Sequence, residues 1–256
     1  MNPASPYIDL IENNLADFYS AWGKAMNIPV YEQMGMRLVY AKGRAWPAFA
    51  LFPVVPEGSE SGFAALAAEK MTTGEIPSFL ICTNREENKV LMNNLENAGF
   101  RPVTVWSGMA RELDESVRMD ESDHFHTRQV QDPAMAAEFA QLINREVFRA
   151  SLLDADYFQS PELASFHAFA GSLNEGICST SSFFSQGATA GLYFIATLPS
   201  RRRQGLGRRM TLLAMQEAKK HGCNKLVLHA TSAGRALYEQ IGFVEYCKLV
   251  IYWLPG

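Results

Sequence analysis

Residues Leu192–Gly207 read LYFIATLPSRRRQGLG, and the chain is best understood from this stretch outward. The apolar run ends at Thr197, and Pro199, which has no amide to donate, stops a strand there. Arg201, Arg202 and Arg203 follow, then Gln204-Gly205-Leu206-Gly207. Beyond them Leu206, Met210, Leu213, Ala214 and Ala218 recur on one face of a helix. Lys219, Lys220, His221 and Gly222 close that helix, with cations and a glycine where its dipole and its C-cap favour them. The stretch is therefore a strand-to-helix turn, with the helix expected over Gly205–His221. The first amides of a helix have no partner within it, and its dipole makes that end positive. Gly205 and Gly207 place no side chain over those amides, and the arginines add forked, charged donors. Together these features describe a site for a phosphate or diphosphate.

Other anion loops lack their residues. No G-x-x-x-x-G-K-[ST] run occurs, and Met210 stands where a dinucleotide loop needs its third glycine. An ATP or NAD site is disfavoured. The net charge of −4 argues against a protein that tracks nucleic-acid backbones. Basic residues are not interleaved with aromatics as a nucleic-acid platform requires. Cys82, Cys178, Cys223 and Cys247 form no C-x-x-C, and His124 with His126 has no third ligand nearby, so no metal site is expected. Reduced, buried thiols and a cytoplasmic location are the expectation. The N-terminal MNPASPYIDLIENN has no basic segment followed by an apolar core, so it does not read as a signal peptide. Gly176–Ser200 carries no charge, yet its Ser, Thr and Gly content fits buried strands around a turn rather than a membrane helix.

The chain has 256 residues, enough for two small domains. The acidic run Glu112–Asp123, ELDESVRMDESD, reads as a connector, with the boundary near residue 120. Asp132-Pro133 then opens a helix, cap followed by first-turn proline. The halves echo each other. Residues 91–105 read LMNNLENAGFRPVTV and residues 237–250 read LYEQIGFVEYCKLV, each a helix, a stopping glycine (Gly99, Gly242) and a strand. The first half reads as helix Tyr7–Met26, strands Met36–Ala41 and Ala48–Val54, helix Gly62–Thr72, strand Ser78–Thr83, helix Glu87–Ala98 and strand Arg101–Ala110. The second reads as strand His126–Gln131, the helix opened by Pro133, strands Phe166–Leu173, Ile177–Phe184 and Thr189–Thr197, and helix Gly205–His221. Strand Lys225–Ala230, helix Ser232–Ile241 and strand Phe243–Leu254 complete it. This order gives an α/β (α+β) fold, a mixed sheet with helices packed on it.

The run Arg202-Arg203-Gln204-Gly205-Leu206-Gly207 resembles the R-x-x-G-x-G coenzyme A diphosphate loop of the GNAT superfamily of N-acetyltransferases. Ala236-Leu237-Tyr238-Glu239-Gln240-Ile241-Gly242-Phe243 is similar to the family's A-L-Y-E-x-x-G-F, at the family's separation from the loop. The resemblance covers about 124–256. Residues 1–118 resemble the degenerate N-terminal half of tandem members, without the loop motif. It implies the GNAT fold, a mixed, mostly antiparallel sheet flanked by helices, in two halves divided as 1–118 and 124–256. It implies acetyl-CoA as cosubstrate. Ile195, Ala196 and Thr197 fall where the family's fourth strand splays and its backbone holds the pantetheine arm. Arg202, Arg203, Gln204, Gly205, Leu206, Gly207 and Arg208 fall on the diphosphate loop. Thr231 stands near the family's asparagine, and Tyr238 on the residue that protonates the departing thiolate. A strand-borne glutamate base is missing, since Gly191 sits near its place. His229, His167 and Glu162 are the remaining candidates for a base.

The implied activity is acetyl transfer from acetyl-CoA to a primary amine of a small substrate, by direct attack in a ternary complex. A CoA-binding sensor or scaffold without catalysis is the alternative, which the missing acid motivates. Acceptor specificity would lie in the early helices and loops, around Val147–Pro161, and in the first half. The long C-terminal strand Phe243–Leu254 could pair across a homodimer.

Overall fold

The computed structural model describes residues 6–114, 124–173 and 176–255. Residues 115–123 of the expected connector, including the boundary near residue 120, lie outside them. In chain order the elements begin with α1 (Pro6–Ala25), β1 (Val30–Gln33), β2 (Met36–Val39), β3 (Phe49–Leu51), α2 (Glu60–Thr73) and β4 (Phe79–Thr83). Next come α3 (Lys89–Asn97), β5 (Arg101–Glu112), β6 (Phe125–Gln129), α4 (Pro133–Ile143) and β7 (Phe166–Leu173). Then follow β8 (Ile177–Gln186), β9 (Thr189–Thr197), α5 (Leu206–Lys220), β10 (Lys225–Ala230), α6 (Ser232–Gln240) and β11 (Val244–Trp253). Among the described residues no helix is long and apolar enough to cross a membrane.

The chain forms two compact units. One holds residues 1–109 and 229–256, the other 110–228. In the first, the strand order is β1-β2-β3-β4-β11-β5. In the second it is β10-β9-β8-β7-β6. Pairing is mostly antiparallel; β3 with β4 and β9 with β10 are parallel. This is the mixed, helix-flanked sheet the sequence implies.

Two stretches of the chain follow one plan. An antiparallel pair (β2 with β3, β8 with β9) leads through a helix (α2, α5) to a parallel neighbour (β4, β10). The strand before that helix meets a phenylalanine in left-handed conformation, Phe52 after β3 and Phe194 within β9, both at φ 49°. Each stretch continues into helix, left-handed glycine and strand: α3, Gly99 (φ 100°), β5, and α6, Gly242 (φ 87°), β11, the latter three belonging to the first unit. The repeat is therefore visible in topology as well as in sequence.

The compact units do not follow a division into 1–118 and 124–256. The C-terminal strand β11 lies in the first unit, between β4 and β5. Its register runs from Leu249 against Thr83 to Trp253 against Phe79. It delivers Val250 and Tyr252 to a core of Met36, Leu38, Leu80, Leu95 and Phe100. The Tyr252 hydroxyl donates to Glu96 Oε1 at 3.2 Å. A strand rich in apolar residues carries no label for its partner; only packing chooses it. The same placement overturns the dimer suggestion for Phe243–Leu254. Both edges of β11 are occupied within the unit, so it has no free edge to offer a second copy.

Two smaller features are not announced by residue type. Strand β1 forms a hairpin with β2 through Met34 and Gly35, both left-handed (φ 56° and 68°), and methionine is not a residue that signals such a turn. After α4 comes a single π turn, Asn144–Phe148, closed by left-handed Arg149. The Asp132 cap itself is as expected: its carboxylate accepts from the Met135 amide at 2.8 Å, with Pro133 in the first turn.

Candidate functional site

In the second unit, β9 pairs in parallel with β10 only from Thr189 to Leu192. Past that point it departs from β10 while remaining on β8. There the register slips: Ser182 faces Tyr193, but Thr180 faces Ala196. One residue of β8, Ser181, thus opposes two of β9, Phe194 and Ile195, a bulge with Phe194 held left-handed. A bulge disrupts the backbone ladder, and β8 replaces it with hydroxyls. Ser182 Oγ donates to Tyr193 O at 2.8 Å, Thr180 Oγ1 to Phe194 O at 2.9 Å and Ser179 Oγ to Ala196 O at 2.8 Å. The run Ser179-Thr180-Ser181-Ser182 supplies these donors, which explains the uncharged but polar composition of the region. Ile195, Ala196 and Thr197 are half-buried, in contrast to the buried start of the strand.

These bonds give a stability prediction. Thr180→Val removes the hydroxyl bond to the Phe194 carbonyl and should cost about 0.5–1.5 kcal/mol. Ser181 lies between the same partners, is buried, and its Oγ has no hydrogen-bond partner. Ser181→Ala should therefore be neutral or stabilising, by about 1 kcal/mol at most. Urea unfolding of the two variants checks the contrast; equal losses would refute the hydroxyl account.

The strand ends in a tight turn over Pro199–Arg201. Arg203 (φ 64°) and Gly205 (φ 75°) are left-handed and turn the chain into α5. The helix begins at Leu206, one residue later than expected, with Gly205 as its N-cap and no side chain capping it. The Gly205 carbonyl accepts from the Arg209 amide at 3.0 Å. A Cβ on Gly205 would meet nothing within 4 Å, so open space lies beside the first amides of α5. Arg201, Arg202 and Arg203 are exposed around it. A positive, uncapped helix start with room beside it and arginines around it fits a diphosphate.

Arg202 also has partners within the protein. Its Nε donates to Thr197 O at 3.1 Å and its Nη2 to Glu146 Oε2 at 3.0 Å. The Glu146 side chain is only 10% exposed and also accepts from Arg145 Nε at 2.9 Å. Glu146 sits on the π turn and ties that turn to the loop. Sequence reasoning misses it, because Arg202 and Glu146 are 56 residues apart and the π turn leaves no signature in residue type.

Thr231 and Tyr238 belong to the first unit. Thr231 is the N-cap of α6, and Tyr238 lies two turns along. A Cβ at Gly234 would lie 3.2 Å from Tyr238 Cε2 and 3.7 Å from Thr231 Oγ1. The missing side chain at Gly234 thus gives the ring room on the side of the Thr231 hydroxyl. The ring packs edge-on to Phe243 at 6.0 Å. Burial pushes the phenol up to about 12, so it carries its proton throughout the neutral range.

The three candidate bases fare differently. His167 stacks on Phe183 (4.6 Å) and lies 4.3 Å from the His221 ring. His221 follows the C-terminal end of α5, about 22 Å along the helix from the loop. Burial, then the neighbouring His221, lowers the pKa of His167. It does not reach the turn at the other end of α5. Glu162 is exposed on a short turn, Pro161–Leu163. His229 is half-buried in the first unit beside Trp106, its ring hydrogen-bonded to the Ile11 backbone. Burial lowers its pKa to about 4, which makes it a weak base. Among the described residues no group of three or more His, Cys, Asp or Glu side chains could hold a metal.

A histidine kept neutral by folding makes stability depend on acid. Its pKa is about 6.5 unfolded and about 4 folded, so the unfolded chain binds the extra proton between those values. Stability therefore rises with pH through that window and falls as pH drops. His229 should contribute about 2 kcal/mol of loss between pH 7 and pH 5. The loss measured by chemical denaturation should shrink by that amount in His229→Gln.

A profile of the Acetyltransferase (GNAT) family matches residues 136–243. A search of curated proteins by sequence finds no match. Solved structures are similar in fold. A "GCN5-related N-acetyltransferase from Kribbella flavida" superposes with a TM-score of 0.70 at 19% identity, covering 94% of this chain and 95% of that one. A functionally unknown conserved protein from Staphylococcus epidermidis gives 0.64 at 12% identity, over 87% and 91% of the two chains. A tandem GNAT protein from the clavulanic acid biosynthesis pathway gives 0.63 at 13% identity, over 85% and 77%.

Proposed function

We propose that this chain, of which residues 136–243 match the profile of the GNAT acetyltransferase family, transfers an acetyl group from acetyl-CoA to the primary amine of a small substrate. One observation carries the reading: the bulged, departing end of β9 runs directly into the open, uncapped and arginine-bordered start of α5. When bound, acetyl-CoA supplies an activated carbonyl; the amine nitrogen gains the acetyl carbon, the carbon–sulfur bond breaks, and the thiol leaves with a proton.

The chain's own residues then divide the work. Gln204, Gly205, Leu206, Gly207 and Arg208 offer the helix-start amides to the diphosphate, and Arg202 and Arg203 neutralise it. Ile195, Ala196 and Thr197 offer backbone groups to the pantetheine arm and to charge developing on the carbonyl oxygen. The hydroxyl bonds from β8 hold that strand end in place, so less ordering is needed on binding. Thr231 contributes a hydroxyl, and Tyr238 donates its phenolic hydrogen to the leaving sulfur.

In the same reading residues 1–118 are a GNAT-like half that has lost its anion loop. The approach to α2 carries Glu57 and Glu60 in place of arginines. Carboxylates at a helix start occupy and repel where a diphosphate would sit. Calorimetry with CoA should accordingly give one site per chain. Turnover of acetyl-CoA with an amine panel completes the test. Absence of CoA binding would refute the reading. Tight binding with no amine acetylated would favour the sensor alternative.

A further inference from the structure

The bulge is surrounded by phenylalanines. Phe194, within it, meets Phe148 at 6.0 Å, Phe166 at 6.0 Å and Phe139 at 6.4 Å, all edge-to-face. Phe158 closes the group, 5.5 Å from Phe139 and 6.0 Å from Phe166. Phe139 is fully buried; the other four rings are each half-buried. All five lie within the second unit. Clustered rings that the core does not fully cover leave an apolar surface at the bulge.

Two of these rings come from a loop that is fixed rather than slack. Asn144 Nδ2 donates to Leu153 O at 2.8 Å, and Asn144 Oδ1 accepts from the Leu152 and Leu153 amides at 2.9 and 2.8 Å. Asp154 then caps the turn that carries Phe158, accepting from the Asp156 amide at 3.2 Å. One half-buried amide side chain thus staples the segment between Phe148 and Phe158. Rigid aromatic rings bind apolar groups at low entropic cost.

We propose that these four half-buried rings form the acceptor subsite, and that the acceptor is a primary amine bearing an aromatic ring or a bulky apolar group close to its nitrogen. The assignment rests on the acetyl-transfer reading above, in which Ile195, next to Phe194, lies at the thioester end. In this reading a phenyl group would rest on Phe148, Phe158 and Phe166, with its amine toward the end of β9. Polar amines such as ethanolamine or spermidine gain nothing from such a surface.

The test compares phenethylamine with ethylamine and ethanolamine, using acetyl-CoA and following released thiol, with CoA affinity measured separately by calorimetry. The expected result is a kcat/KM for phenethylamine at least tenfold above both small amines. Phe158→Leu and Phe148→Ser should each reduce that ratio at least threefold. Equal or better use of ethanolamine, with CoA still bound, would overturn the acceptor assignment while leaving acetyl transfer standing. No turnover of any amine would overturn it too, and failed CoA binding would remove both readings. A further arm replaces acetyl-CoA with hexanoyl-CoA. A preference for the longer acyl group with ethylamine would assign the rings to the acyl chain instead and refute the proposal.

Discussion

Gly205→Glu is expected to weaken CoA binding at least a hundredfold. Gly205 is the N-cap of α5 at φ 75°, with open space beside its Cα. A left-handed backbone costs a glutamate about 1 kcal/mol, which lowers stability slightly. The same carboxylate at a helix start is favourable for the helix and partly offsets that cost. Stability and affinity therefore separate. The melting temperature should move little, while the introduced charge takes the amides meant for the diphosphate and repels it. A hundredfold weakening corresponds to about 2.7 kcal/mol, the scale of removing one charge-assisted hydrogen bond and adding one repulsion. Gly205→Asn, which tolerates the left-handed conformation and adds no charge, should bind within about tenfold of the parent. Calorimetry on both variants, with a thermal melt of each, decides the matter. Near-parental affinity in Gly205→Glu would place the anion elsewhere.

The second large effect concerns Tyr238. Burial raises its phenol to about 12, and this has two consequences. The group is always protonated at neutral pH, so it can always donate. Complete transfer of its proton to a thiolate, whose conjugate acid lies near 8.5, is uphill by about 3–4 pH units. In the proposed reaction Tyr238 would therefore act on the leaving sulfur mainly as a hydrogen-bond donor to developing charge. A hydrogen bond to a charged group contributes about 1.5–3 kcal/mol. Tyr238→Phe should then lower kcat by about 10–100-fold with little change in KM for acetyl-CoA. The pH profile of kcat should show no decline from this tyrosine below about pH 11. A decline near pH 9 that disappears in the Phe variant would mean that the ring is a far stronger acid than its burial allows. An unchanged kcat would remove it from the reaction.

Much of this site is local in sequence, which is why it is legible there. A strand end, a proline, three arginines and two glycines occupy neighbouring positions, and their physics depends on neighbours in the chain. The strand ending at Thr197 and a helix beginning within one residue of Gly205 follow from that run. The Asp132 cap and the glycine stops at Gly99 and Gly242 are equally local. Features that join distant residues are not legible. Glu146 reaches Arg202 across 56 positions from a π turn that no residue pattern announces. The five phenylalanines around the bulge are spread over several elements and the loops between them, and helical or strand periodicity cannot relate them. The hydroxyl run on β8 is visible as composition; its purpose is not, because the carbonyls it satisfies belong to another strand.

By itself the sequence determined the strand-to-helix turn between Thr197 and Gly207, most of the strands and helices, and the echo between the two halves. Each is set by backbone preferences and dipoles acting within a few residues. Tertiary structure alone decided that β11 lies between β4 and β5, that β9 bulges at Phe194, and that Asn144 fixes the loop bearing Phe148 to the one bearing Phe158. An apolar strand or ring can satisfy its need for burial against many partners, and only competition among all of them in the folded chain selects one.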